Sequence, residues 1–349
     1  LVPQLRAPRR VSWEGLSTGA FLIFIGLVRK VGIADVVAPK VVEIFDDPSA
    51  QTSEALLIGV LLFALQIYGD FSGYSAIARG TSRVLGIDLM ENFRQPYFST
   101  SVTEFWRRWH ISLSTWLRDY LYITLGGNRK GTLMTYRNLF LTMLLGGLWH
   151  GANITYIVWG AWHGMWLAIE KALGLNTSPR SLNPIRWALT FLLVVMGWVI
   201  FRAENLHVAG RMYGAMFSFG DWSLSELNQA SLTGLQVATL VVAYVTLAFF
   251  GLRDLYTNQP PAKTKPEVNV EANGPATATP GMIKAAPGEN PASIHEPGYT
   301  VGVEAQVQPA YWSADWSRYV MRGLILLLFI ASILKLSAQS FSPFLYFQF

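Results

Sequence analysis

The sequence predicts an all-α integral membrane protein: a multi-helix bundle in which short, tilted and re-entrant helices surround a central chamber. Three observations lead there. Of the 349 residues, 52% are hydrophobic and only 14% are charged, whereas soluble domains carry roughly 25% charged residues. Apolar runs recur along most of the chain. Most of those runs are shorter than the about 20 residues a span needs, or contain polar residues, which is tolerated where a helix packs inside protein or lines a cavity.

Taken in order, residues 1–12 (LVPQLRAPRRVS) are polar and basic with no signal-peptide apolar region. With Leu1 in first place, the chain reads as a fragment whose upstream helices are missing. Apolar runs follow near 15–28, 55–69, 132–149, 154–170, 187–201, 232–251 and 320–338. Of these, 232–251 and 320–338 look like ordinary spans, and the run 55–69 leads directly into Asp70. Between Phe105 and Tyr120, apolar residues recur at helical spacing, with Arg107, Arg108, Arg118 and Asp119 mainly on the other side. The pattern predicts one interfacial or re-entrant helix beginning at Thr103–Glu104 and ending at the turn Gly126–Gly127–Asn128. Residues 257–310 hold nine of the 17 prolines and are expected to form a disordered connecting loop. The expected division is therefore a core over 1–256, the Pro-rich loop over 257–310, and a C-terminal transmembrane helix with an aromatic tail over 311–349.

Charge and composition exclude several functions. The net charge is +5, but Lys and Arg flank apolar runs instead of forming an exposed stripe, so lipid headgroups and not nucleic acid are the expected contact. Nine basic residues between Arg79 and Arg137 place that block toward the cytoplasm. Without cysteine there is no thiolate nucleophile, disulfide or Cys-type metal site. Neither GxxxxGK[ST] nor HExxH occurs, and no metal site is expected.

Of five histidines, His295 falls in the Pro-rich loop and His207 beside a polar segment, while His110, His150 and His163 sit in apolar surroundings. An ionisable residue at membrane depth is a functional hypothesis by default. His150 is flanked by Gly146, Gly147 and Gly151, which leave room for a substrate, and by Trp149 and Asn153, which add a stacking surface and an amide. On these residues alone it divides evenly between a packed histidine and a general base acting on a hydroxyl. His110 divides in the same way between catalysis and an interfacial aromatic belt, and His163 reads better as packing.

Three segments together resemble the bacterial, alginate O-acetyltransferase-like branch of the membrane-bound O-acyltransferase family: 66–97 (QIYGDFSGYSAIARGTSRVLGIDLMENFRQPY), 99–131 (STSVTEFWRRWHISLSTWLRDYLYITLGGNRKG) and 144–164 (LLGGLWHGANITYIVWGAWHG). The closing FSPFLYFQF is similar as well. The resemblance implies a bundle with a chamber open to both membrane faces, with His150 as the catalytic histidine and His110 as a second functional one. It also implies a multi-pass protein of the bacterial inner membrane that binds no resident cofactor. Acetyl-CoA would be the cytoplasmic donor, an exported polysaccharide such as alginate the acceptor, and periplasmic or membrane-anchored acetyl-transfer proteins the partners. In this reading Asn153, Trp149 or the amide at Gly151 could stabilise an oxyanion, Arg107 and Arg108 could hold donor phosphates, and Tyr346 could relay the acyl group. Peptidoglycan or another exported glycan is the alternative acceptor. A non-catalytic transporter or scaffold subunit is the alternative class.

Overall fold

The computed structural model describes residues 2–6, 11–176, 183–218, 233–234, 237–238 and 241–245. Among them the regular elements are helical, with no strand. A short helix α1 (Val2–Arg6) precedes α2 (Trp13–Leu27), whose first turn is capped by the Ser12 hydroxyl accepting from Gly15 N at 3.0 Å. Helix α2 continues into a π-helical turn, Val28–Ala34, and then α3 (Asp35–Asp46). The π turn buries Lys30, and its Nζ meets Asp70 Oδ1 at 2.6 Å and Asp35 Oδ1 at 2.9 Å.

Helix α4 (Ser53–Val84) has 32 residues, which makes it about 48 Å long at 1.5 Å per residue. The helix therefore runs on well past Asp70, into which the apolar run 55–69 leads. Lys30 supplies a counter-charge from α2's extension, so the helix carries the carboxylate through the interior. Glycines allow that closeness: a Cβ on Gly26 would stand 2.7 Å from Gly73 O, and one on Gly19 would stand 2.7 Å from Gly80 O. Small residues at such crossings let helix backbones touch.

An extended segment then leads to α5 (Val102–Arg108) and α6 (Ile111–Trp116), followed by a π-helical turn at Leu117–Tyr122 and tight turns through 130. The single helix expected from Thr103 to the Gly126–Gly127 turn is thus broken. His110 sits at the break with φ +43°, in the left-handed region, which costs a non-glycine residue roughly 1–2 kcal/mol. The backbone groups a continuous helix would pair internally find other partners. Ile111 N donates to Asn92 O (3.1 Å), Ser112 N to Asn92 Oδ1 (3.0 Å), and Arg94 N to Arg108 O (2.9 Å).

Helices α7 (Thr132–His150) and α8 (Ile154–Ala172) form an antiparallel hairpin. Gly147 lies against Tyr156 O and Gly160 against Met143 O, each so close that no Cβ fits, and a Cβ on Gly164 would stand 2.9 Å from Phe140 Cα. Helix α9 (Pro184–Arg202) packs on α4 and α8, with Pro184 at its first position, and α10 (Leu206–Met216) follows the Asn205 cap. Among the described residues α4 and α9 are the two helices long and apolar enough to cross a membrane. Most of 232–251, all of 320–338, the Pro-rich segment 257–310 and the tail with Tyr346 lie outside the described residues.

Candidate active site

The site is built where an aromatic core meets two chain breaks. Tyr68, Phe93, Phe105 and Trp198 surround Trp109, with ring centroids 6.3, 4.9, 5.5 and 5.0 Å away. Trp109 is buried and immediately precedes His110. Burial of this indole therefore pins the backbone turn that presents His110.

His110 is 9% exposed and packs edge-on against Phe71 at 4.6 Å. Phe71 follows Asp70 on α4, so the Lys30–Asp70 ion pair and the surface that supports His110 share one stretch of helix. His150 closes α7 at the mouth of the hairpin and is half-buried, less enclosed than the sequence suggests. Its imidazole lies edge-on to Trp159 at 5.2 Å, Phe201 at 5.4 Å and Trp149 at 5.2 Å. His110 and His150 belong to separate segments of the chain but border one aromatic cluster, in which Trp198 lies 5.0 Å from Trp109 and 6.0 Å from Trp159. His163 is 1% exposed and enclosed by Trp159, Trp106 and Phe105.

The turn at His150 is held by specific bonds. Gly151 N donates to Leu148 O at 3.3 Å, and a Cβ on Gly151 would stand 2.8 Å from the Tyr156 ring. Asn153 caps α8, its Oδ1 accepting from Thr155 N (3.1 Å) while its Nδ2 donates to Glu204 O (2.9 Å). The amide expected to serve an oxyanion is thus engaged at both ends and fixes the loop. Trp149 is 55% exposed.

Two carboxylates organise α5: Glu170, which sequence reading passed over, and Glu104, which it read only as part of a helix start. Glu170, buried on α8, accepts from Val102 N (2.5 Å), Thr103 N (2.9 Å) and the Thr103 hydroxyl (2.9 Å). Glu104 Oε2 accepts from Thr100 N and the Thr100 hydroxyl (2.8 and 2.9 Å), and the hydroxyl of the cap, Ser101, accepts from Glu104 N (3.0 Å), so the carboxylate reaches back to the residue before the cap. Arg186 and Trp187 of α9 fasten the preceding segment through Thr100 O (3.2 Å) and Tyr97 O (2.9 Å). The signal for Glu170 was present in its spacing: it follows His163 by two helical turns on the same buried face of α8.

Arg108 pairs with Glu104 at 2.8 Å, whereas Arg107 is exposed. Arg118 and Asp119 form an exposed pair, in which the Arg118 hydrogen bond holds the Asp119 carboxyl below its usual range. Among the described residues no three His, Asp or Glu side chains converge as a metal-binding group would require.

The model of the membrane-bound O-acyltransferase family matches residues 4–210. The chain is 72% identical over 336 residues to the probable alginate O-acetylase of Pseudomonas fluorescens, covering 96% of this chain and 66% of the relative. It is 61% identical over 329 residues to that of Pseudomonas aeruginosa, covering 93% of this chain and 62% of the relative. A peptidoglycan O-acetyltransferase of Helicobacter pylori is 37% identical over 234 residues, 66% of this chain and 44% of that protein. The chain thus spans less than two thirds of the length of these relatives.

Proposed function

This chain belongs to the membrane-bound O-acyltransferase family, and from that premise we propose that it transfers an acetyl group to a hydroxyl of an exported polysaccharide. The observation that carries the reading is the aromatic cluster that His110 and His150 share. A backbone break at His110 and a glycine-packed hairpin ending at His150 set both beside it: Trp198 lies 5.0 Å from Trp109, the residue before His110, and 6.0 Å from Trp159, whose ring is 5.2 Å from His150. His150 is the general base: it takes the proton of the acceptor hydroxyl as that oxygen attacks the carbonyl of an acetyl thioester. His110 orients the donor or stabilises charge. Arg107 is the better placed of the two arginines for donor phosphates, since Arg108 is already paired with Glu104.

The proposed donor is acetyl-CoA on the cytoplasmic side, and the proposed setting is a multi-pass protein of the bacterial inner membrane. The broken α5–α6 segment would be re-entrant and border a central chamber. Alginate is the proposed acceptor because the relatives aligned with 93–96% of this chain are named for it, whereas the peptidoglycan relative aligns with 66%. Periplasmic or membrane-anchored proteins would pass the acetyl group onward.

The test is acetate content of exported polymer from cells carrying His150→Ala, beside His207→Ala as a control on an exposed histidine. Loss of acetylation with undiminished polymer export and undiminished protein in the membrane is the expected result. Full acetylation by His150→Ala would overturn the reading. Loss of export together with acetylation would favour a transporter.

A further inference from the structure

Acyl transfer at His150 requires hydrogen-bond donors aimed where the carbonyl oxygen gathers charge. The donors suggested by the sequence are poorly disposed for it. The Asn153 amide is engaged with Thr155 N and Glu204 O, Gly151 N donates to Leu148 O, and Trp149 is 55% exposed.

A different set stands behind His150. Helix α8 turns Thr155, Trp159 and His163 inward at intervals of one turn, and all three are buried. Trp159 is 2% exposed, and its ring centroid is 5.2 Å from both His150 and His163, with interplanar angles of 88° and 73°. Trp106 closes the group at 5.6 Å from Trp159 and 5.1 Å from His163. Among the described residues, the indole nitrogens of Trp159 and Trp106 and both ring nitrogens of His163 are buried without a hydrogen-bond partner. Buried donors in folded proteins are nearly always paired. Several unpaired ones in mutual contact, one of them against the candidate base, match what a polar substrate atom would satisfy. The cluster is also held firmly: a Cβ on Gly197 would stand 2.9 Å from His163 Nε2, so the imidazole fills a notch in α9 and backs the Trp159 ring.

We propose that Trp159 is a catalytic residue, its indole N–H holding the carbonyl oxygen of the acyl group beside His150. This rests on the acyl-transfer reading above. In the step, the acceptor oxygen bonds to the carbonyl carbon while its proton passes to His150. The carbonyl π pair moves onto oxygen, where the indole N–H meets it. Collapse of that intermediate breaks the carbon–sulfur bond, the electron pair leaves on sulfur, and His150 returns the proton to the thiolate.

The experiment uses the full-length protein in membranes with its acetylation partners, supplied with acetyl-CoA and polymer. Trp159→Phe keeps an aromatic ring and removes the N–H. Benzothienylalanine at position 159 keeps the bicyclic shape and replaces the N–H with sulfur, so it preserves packing where phenylalanine does not. Each is expected to lower kcat about 100-fold, as loss of one oxyanion donor does, with KM for acetyl-CoA within about twofold of wild type, as loss of a transition-state contact requires. A benzothienyl variant with wild-type kcat, or one that changes only KM, overturns the proposal. If His150→Ala is inactive while the Trp159 variants are fully active, only this assignment fails. If His150→Ala is active, the acyl-transfer reading fails with it.

Discussion

Replacing Glu170 with glutamine tests whether α8 sets the position of His110 through α5. Helix α5 has seven residues, too few to persist by its own hydrogen bonds, since isolated helices below about 12 residues are marginal. Its first amides are met from outside: Val102 N and Thr103 N by Glu170, and Glu104 N by Ser101. A glutamine offers one acceptor oxygen where the carboxylate offers two, and turns an NH2 group toward N–H donors. At least one of three charge-assisted bonds is lost, each worth roughly 1.5–3 kcal/mol. The favourable placement of a negative charge at a helix N-terminus, roughly 0.3–1 kcal/mol, goes with it. The expected cost is about 2–4 kcal/mol, concentrated in the segment that ends at Trp109 and His110. Thermal unfolding in detergent should therefore shift down, and acetylation should fall by more than the lost folded fraction accounts for. Hydrogen exchange should rise at Val102 and Thr103 before it rises in α7. A Glu170→Gln protein with wild-type melting, exchange and acetylation would refute the reasoning.

Two further outcomes follow from the same geometry, and a third from the sequence of the tail. His110→Gly removes a left-handed non-glycine residue, which relieves roughly 1–2 kcal/mol of backbone strain. It also empties the space of a buried ring packed on Phe71, so His110→Gly should melt above His110→Ala, which loses the same ring and keeps the strain, while both lose acetylation; equal melting of the two would deny the strain. In the buried triad, Lys30→Met strands Asp70 and Asp35 without their shared cation, whereas Asp70→Asn leaves Lys30 paired to Asp35 at 2.9 Å. Breaking a buried pair costs roughly 3–5 kcal/mol, so Lys30→Met should be the more damaging in membrane yield and melting, and the reverse order would show that Asp35 is no effective partner. Tyr346→Phe should lower polymer acetylation if its hydroxyl relays the acyl group, and full acetylation by that variant would remove the relay.

Different parts of the fold and the site were legible in the sequence to different degrees. The two helices about His150 could be read as the apolar runs 132–149 and 154–170, but the glycines beside it, read as room for a substrate, are filled instead: Gly147 and Gly151 lie against Tyr156 and Gly146 against Leu117. The length of α4 could not, because Asp70 interrupts the apolar run and its counter-charge, Lys30, comes from another helix. The break at His110 was hidden for a related reason. Apolar spacing continues through Trp109 to Tyr120 with no glycine or proline to mark a stop. The left-handed residue is sustained by Asn92 and Arg94 from a neighbouring strand of chain.

Composition alone pointed to a helical membrane protein without cysteine chemistry, and the resemblance of its short motifs to a known family singled out the two histidines about which activity is proposed. Those follow from side-chain composition and short-range motif, which need no knowledge of what lies alongside. Only the tertiary structure decided which polar groups are committed and which are available. It engaged Asn153 as a cap, paired Arg108 with Glu104, gave Glu170 the start of α5, and left unpaired the indole N–H of Trp159, whose ring lies 5.2 Å from His150. A hydrogen bond depends on distance and direction between groups far apart in the chain, and those are set only when the helices pack.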